Sequence, residues 1–177
     1  MLQPVRRVVT GHDSAGRSVV LFDGVMTPSA QLPTDVALWI TNKAPASNAG
    51  HADTVAGTAK LEPPAHGSVL RIVEFPPANA LAKLSAEEIE RVLAGIFEEL
   101  GATHTRVDTK RGPGMHKTRT TDYIVVLSGE ITLMLDEGEV DLKPFDVVVQ
   151  RGTNHGWVNR GSTPALVAAI LIDADPI

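Results

Sequence analysis

Short apolar and β-branched runs, separated by glycine, proline and other turn residues, recur along most of the chain. RRVVT and RSVVLFD flank the loop GHDSAG, a pattern that predicts a β-hairpin. DVALWI and SVLRIVEF predict two further strands, the second of which ends before Pro76. After Gly101 the predicted strands are THTRVDT, DYIVVLS, EITLMLD, EVDLK, DVVVQ, GWVNR and ALVAAILID. Many short strands with a single helix indicate an all-β sandwich or barrel.

One segment, SAEEIERVLAGIFEELG, has helical rather than strand periodicity. Ser85 followed by Glu88 predicts a capping box, and Gly101 predicts the end of the helix. The apolar residues of one helix face are Ile89, Val92, Leu93, Ile96, Phe97 and Leu100. A stripe of this kind favours a helix packed on the outside of a sheet over a helix with a functional role.

The chain of 177 residues, with 43% hydrophobic residues, is predicted to form one domain over 1–177. We divide it into N-terminal strands and an arm (1–60), a strand with the amphipathic helix (61–103), and a core (104–173). Within this scheme the segment 42–67 is rich in small and turn residues, which predicts a surface loop or an arm lying on another subunit. Because such arms otherwise leave sheet edges exposed, we expect a homodimer.

Composition removes several classes of function. The net charge is −5 and the basic residues are scattered, so the sequence predicts no nucleic-acid partner. The absence of cysteine excludes disulfides, thiolate nucleophiles and sulfur ligands. No run approaches the roughly 18 apolar residues of a membrane span, and MLQPVRRVVTGHD lacks the apolar region of a secretory signal. We therefore expect a cytoplasmic protein whose partner is a small-molecule ligand or substrate, with no membrane partner.

Two segments in the second half of the chain carry candidate chemistry. MHKTRTTDYIVVLSGE contains His116, Thr118 and Asp122, and HGWVN contains His155 three residues before Asn159. Together with Gly129 in the first segment and with Gly138 and Pro144 ahead of the second, they resemble the two ordered motifs of the cupin superfamily. In those motifs a second histidine stands at the place of Thr118, a glutamate at Asp122 and a turn glycine at Phe145.

The resemblance implies a double-stranded β-helix, the jelly-roll barrel of the cupins, here with N-terminal strands and one peripheral α-helix. It also implies that His116, Asp122 and His155 are ligands of a divalent metal ion, which could be iron, zinc, manganese or nickel. Strand parity is consistent with this set, because residues an even number apart share a face of a strand. Two imidazoles and a carboxylate leave open positions on the metal, which favours a reactive site over a structural one.

The residues alone leave a site without metal open as well. A buried Asp122 could be satisfied by Lys117, Arg119 or a hydrogen bond to His116 instead of a metal ion.

Four further residues are candidates for the pocket. Thr118 could hydrogen-bond a metal-bound water, and His104, predicted on a neighbouring strand, could be a fourth ligand. Trp157 could line the pocket or fill the core. Arg151 could bind a substrate carboxylate, although a solvated turn arginine is the favoured interpretation.

These observations lead to a first hypothesis, a metal-dependent cupin acting on a small organic substrate in the barrel by oxygenase, decarboxylase or isomerase chemistry. The alternative is a non-catalytic small-molecule-binding cupin with a degenerate metal site, which the residues Thr118 and Phe145 favour. A purely structural protein is the third hypothesis.

Overall fold

The structure is a computed structural model that describes residues 1–55, 60–82 and 84–176. The β-strands are β1 (Val5–His12), β2 (Ser18–Met26), β3 (Asp35–Thr41), β4 (Ser68–Phe75), β5 (Thr120–Ser128), β6 (Ile131–Leu135), β7 (Glu139–Leu142), β8 (Val147–Arg151), β9 (His155–Val158) and β10 (Ala165–Asp173). The α-helix is α1 (Ala86–Glu99), and single 3-10 turns lie at Ala78–Leu81 and Thr103–Thr105. Within these described ranges no helix is long and apolar enough to cross a membrane.

Two antiparallel sheets form the body of the molecule. The larger has the strand order β3-β4-β10-β5-β8 and the smaller has the order β7-β6-β9. Val126 and Val167 of the large sheet pack with Ile131 and Leu133 of the small sheet in one buried cluster. The core therefore lies between the two sheets, and the predicted all-β jelly-roll fold is confirmed.

The predicted N-terminal hairpin is also confirmed, because β1 and β2 pair with each other along their length. Val5 and Met26 of the hairpin pack against Val36 and Leu38 on the outer side of the large sheet. The hairpin therefore covers the part of the large sheet that contains β3.

The segment 42–67 is irregular where the structure describes it, and residues 56–59 of the predicted arm lie outside the described ranges. Arg7 of β1 binds the carboxylate of Asp53, which ties this part of the segment to its own chain. The predicted homodimer stays a prediction.

The helix begins and ends where the sequence predicts. Ser85 and Glu88 form the reciprocal capping box, and Gly101 has a φ of +62° just after the last turn. Phe97 and Leu100 are buried with Leu32 and Ala102 in a second cluster. The apolar stripe is therefore a packing face, as expected.

Two turns show why the motif residues are what they are. At Gly129 φ is +71°, and a Cβ there would come within 2.6 Å of the carbonyl oxygen of Pro164, so only glycine fits. Phe145, in the turn after Pro144, also has a positive φ (+74°), and its side chain is 87% exposed. The chain thus keeps one required glycine and accepts backbone strain at Phe145.

The predicted strand THTRVDT is wrong. Thr103–Thr105 form a 3-10 turn, and no regular strand begins until Thr120. The backbone N–H and the hydroxyl of Thr105 both donate to the carbonyl of Ala102, at 2.9 and 2.7 Å. This local hydrogen bonding competes with strand pairing and outweighs the strand preference of threonine and valine.

Candidate metal centre

The fold brings two of the predicted ligands, His116 and His155, next to each other. Their backbones form an isolated antiparallel bridge, with reciprocal N–H···O distances of 2.8 and 2.9 Å. Residues paired in this way project their side chains to the same face. Accordingly, the centroids of the two imidazole rings are 4.3 Å apart, although the residues are far apart in sequence.

Each imidazole is oriented by a backbone carbonyl two residues before it. Nδ1 of His116 lies 3.0 Å from the oxygen of Gly114, and Nδ1 of His155 lies 2.9 Å from the oxygen of Thr153. Because a carbonyl oxygen only accepts, we assign the proton of each neutral ring to Nδ1, which leaves a lone pair on Nε2. A histidine held in this way by its other nitrogen is the usual form of a metal ligand.

Both rings are uncharged at neutral pH. Burial lowers the pKa of His155 to about 3, and the neighbouring His116 contributes in the same direction. Burial is also the main cause that lowers the pKa of His116; the bond to Gly114 opposes it, and the charge of Arg106 adds to it. Since a metal ion binds only the neutral imidazole, this environment keeps the pair in the form that can act as ligand.

One aromatic side chain lies beside each histidine of the pair. The ring of Phe97 meets His116 edge-on at 5.1 Å, and the ring of Trp157 meets His155 edge-on at 5.9 Å. The guanidinium of Arg106 lies 5.4 Å from the centroid of Phe97. Sequence reasoning assigned α1 to packing only and missed this use of Phe97, because its helical spacing is the same as that of any core residue.

Trp157 was predicted to line the pocket or to fill the core; it packs in the core, and its ring also meets that of His155. It packs against the main core cluster, and its ring is 6.0 Å from that of Phe75.

Asp122 is buried on β5, with 3% of its surface exposed, and its Oδ1 has no hydrogen-bond partner among the described residues. Burial raises the pKa of its carboxyl group to about 6, against a lowering by the hydroxyl of Thr120 and with a further rise from the charge of Glu62. Among the residues that the structure describes, no three histidine, aspartate or glutamate side chains are grouped so that they could hold one ion. Asp122 is therefore inside the fold but is not gathered with the two imidazoles.

Strand parity explains why Asp122 is buried and why it is not grouped with the two histidines. Thr118, Thr120, Asp122, Ile124 and Val126 are all buried, as the alternation requires. Before Thr118 the alternation fails, because β5 starts only at Thr120 and the chain bends just ahead of it. His116 thus reaches the interior through its bridge to β9, not through a continuous strand with Asp122.

The other candidate pocket residues have different surroundings. Thr118 is buried, and its hydroxyl lies 2.7 Å from that of Thr120. His104 lies in a 3-10 turn and not on a strand, so its predicted position is wrong; its side chain is 63% exposed and 2.8 Å from Glu62. Arg151 is exposed at the end of β8, in agreement with the favoured interpretation.

The family model for the cupin domain matches residues 103–172, which contain both histidines and Asp122. The Phomopsin biosynthesis cluster protein C' of Diaporthe leptostromiformis is 33% identical over 191 residues, covering 99% of this chain and 82% of that protein. This chain belongs to the cupin superfamily.

This chain is also similar to a second curated protein and to a solved structure. The cupin-domain-containing oxidoreductase fogC of Aspergillus ruber is 29% identical, with 99% of this chain and 76% of that protein covered. Among solved structures, a Cupin 2 conserved barrel domain protein from Salinispora arenicola is 14% identical with a TM-score of 0.38, covering 68% of this chain and 69% of that one.

Proposed function

We propose that this cupin is a metal-dependent oxidoreductase that acts on a small organic substrate between its two sheets. The observation that carries the proposal is the pair of adjacent, neutral imidazoles, His116 and His155, whose Nε2 atoms accept no hydrogen bond from the described residues. Relatives named as oxidoreductases or as biosynthesis cluster proteins support oxidation chemistry in the making of a small natural product. Decarboxylation and isomerisation remain the other reactions that such a site would serve.

In this proposal His116 and His155 supply two nitrogen ligands to a divalent metal ion. Asp122 is the proposed third ligand, and because it is not grouped with the pair, the metal proposal rests on the imidazoles. Two imidazoles with a carboxylate suit iron, manganese, nickel or zinc. A bound ion of this kind would supply Lewis-acid or oxygen-activating chemistry.

The surrounding residues orient the two imidazoles and limit the access of water. The carbonyls of Gly114 and Thr153 fix the ring orientations, so the ligands lose little freedom when an ion binds. Phe97 and Trp157 form apolar walls beside the two rings, which limits water around the substrate.

A second function, binding of a small molecule without catalysis, is favoured by one observation. The position of the second motif histidine holds Thr118, which is buried and bonded to Thr120 and therefore offers no replacement nitrogen. A cupin with fewer ligands could bind a small molecule and hold no metal.

Calorimetric metal titration separates the two functions. Protein stripped with a chelator would be titrated with Zn²⁺, and with Fe²⁺ under nitrogen, at pH 7. We expect one equivalent to bind to the wild type and stoichiometric binding to be lost in His116→Gln and His155→Gln. The exposed His104→Gln variant is the matched control and should bind as the wild type does. A folded wild type that binds neither ion would contradict the metal-dependent function and favour the second one.

A further inference from the structure

A buried arginine, Arg71 of β4, faces the interior of the barrel. Only 2% of its surface is exposed. Its cross-strand partners are Ala37 of β3 and Ala169 of β10, both members or neighbours of the main core cluster. The adjacent residues Leu70 and Ile72 point the other way, towards the N-terminal hairpin. The guanidinium is thus placed between the sheets, flanked by two of the smallest side chains.

The fold satisfies this guanidinium only in part. Its Nη2 donates to the carbonyl oxygen of Lys60 at 3.1 Å, and its Nη1 lies 3.2 Å from a carboxylate oxygen of Asp35. Nε and Nη1 are buried without a hydrogen-bond partner in the described part of the chain. An arginine stays charged in proteins and has five N–H donors in a rigid fork, so donors left unpartnered in the interior are costly.

The contact with Asp35 is longer than the contacts in two exposed arginine–carboxylate pairs of this chain. Arg6 binds Asp23 through two nitrogens at 2.8 and 2.9 Å, and Arg160 binds Glu139 through two at 2.8 Å, although both pairs are exposed. Burial raises the pKa of Asp35 despite the charge of Arg71, which weakens Asp35 as a counter-charge. A pair built only for structure would show its best geometry in the interior, where poor geometry costs most.

Arg71 shares its interior face with Asp122. In the register of β10, Arg71 is opposite Ala169 and Asp122 is opposite Leu171, so one strand and a two-residue step separate them. Strand spacing puts their Cα atoms about 12 Å apart. A long arginine side chain and a small ligand together can span that distance.

We propose that Arg71 binds a carboxylate group of the ligand inside the barrel, and that the substrate is therefore a small organic acid. The guanidinium can match a carboxylate through two parallel hydrogen bonds, one from the second N–H of Nη2 and one from Nε or Nη1, which have no hydrogen-bond partner in the described part of the chain. This inference names the substrate class of the site proposed above and rests on that function. Arg71 is then a binding residue whose positive charge complements the negative charge of the ligand.

Binding of acids to metal-free protein tests the inference without any contribution from an ion. Chelator-treated protein would be titrated with benzoate, succinate and 2-oxoglutarate, with benzamide and succinamide as neutral counterparts, by calorimetry and thermal shift. At least one acid should bind and raise the melting temperature, and the amides should not. In Arg71→Gln the Kd for that acid should rise about tenfold or more, as expected for the loss of charge-assisted bonds.

Two further variants keep the test decisive. Arg160→Gln removes an exposed arginine from a well-formed pair and should bind acids as the wild type does. If Arg71→Gln does not fold, the double variant Asp35→Asn/Arg71→Gln, which leaves no unpaired charge, replaces it. Acid binding that persists without Arg71, or a wild type that binds none of the three acids, would overturn the inference.

The outcome is also distinguishable from failure of the proposed function. Absence of acid binding together with intact Zn²⁺ binding would contradict only the proposed substrate class, small organic acids. Intact acid binding with no metal binding would contradict only the metal-dependent oxidoreductase.

Discussion

The barrel buries two kinds of polar group, and it treats them differently. The pair His116 and His155 is neutral, its Nδ1 atoms are bonded to carbonyls, and one aromatic ring lies edge-on beside each imidazole. Asp122 and Arg71, in contrast, keep buried polar atoms without partners among the described residues. Neutral imidazoles with one satisfied nitrogen are cheap to bury, whereas ionisable groups with orphaned atoms are expensive. The fold satisfies one nitrogen of each imidazole, whereas Asp122 and Arg71 keep unsatisfied atoms that our proposals assign to a metal ion and to a ligand carboxylate.

The largest effect is expected at the carboxylate. Because burial raises the pKa of Asp122 to about 6 from 3.8, ionising it costs the metal-free folded state about 3 kcal/mol at pH 7. Asp122→Asn removes that cost and should stabilise metal-free protein by up to that amount at pH 7. The raised pKa means that the cost develops as pH rises from about 4 to 6, so the gain should vanish at pH 4. Urea unfolding of the wild type and of Asp122→Asn at pH 7 and pH 4 measures this gain. An equal gain at both pH values would show that burial does not raise the free energy of the ionised carboxylate.

The histidine pair should show the opposite dependence on pH. The pKa of His155 is depressed in the folded state, so the unfolded chain takes up protons first as pH falls below 6.5. Metal-free protein should lose about 1 kcal/mol of stability per pH unit from this residue between pH 6 and 5. His155→Gln should have a shallower slope than the wild type over that window in the same unfolding experiment. Parallel slopes would mean that His155 is accessible to protons in the folded protein.

A smaller effect is expected at Phe145, where the cost is backbone strain alone. The side chain is 87% exposed and φ is +74°, so Phe145→Gly relieves strain and loses little buried surface. After the entropy cost of glycine, the net gain should be about 0.5 kcal/mol. An unchanged or lower urea midpoint would show that the phenyl ring makes contacts that stabilise the fold.

The smallest effect is expected at the exposed pair of Arg6 and Asp23. Its geometry is better than that of Arg71 with Asp35, yet solvent screens it. Arg6→Gln should leave the urea midpoint unchanged within error. A clear drop would show that good geometry outweighs exposure in this chain and would weaken the contrast drawn between surface and interior pairs.

Much of this arrangement was predictable from sequence, because turn residues and alternation are local. The hairpin, the capped helix and the inward face of β5 with Asp122 follow from such patterns. His116 and His155 were identified through the motifs, but their contact depends on a bridge between distant segments that no periodicity encodes. The bend before Thr120 separates His116 from the alternation of β5.

The role of Arg71 and the position of His104 were not predicted, for two different reasons. Arg71 had a visible signal, since alternation in SVLRIVEF puts it on the same face as Val69, but it was treated only as part of a strand. His104 was misplaced because the strand preference of its threonine neighbours competed with a turn closed by hydrogen bonds to Ala102.

The central claim, that His116 and His155 are poised as metal ligands through Nε2, can be read directly by nitrogen NMR of the histidine side chains. Long-range ¹H–¹⁵N spectra of metal-free protein at pH 7 should show both rings neutral with the proton on Nδ1. Addition of one equivalent of Zn²⁺ should then shift both Nε2 resonances together and leave that of His104 in place. Rings protonated on Nε2, or Nε2 resonances that do not respond to the ion, would contradict the account.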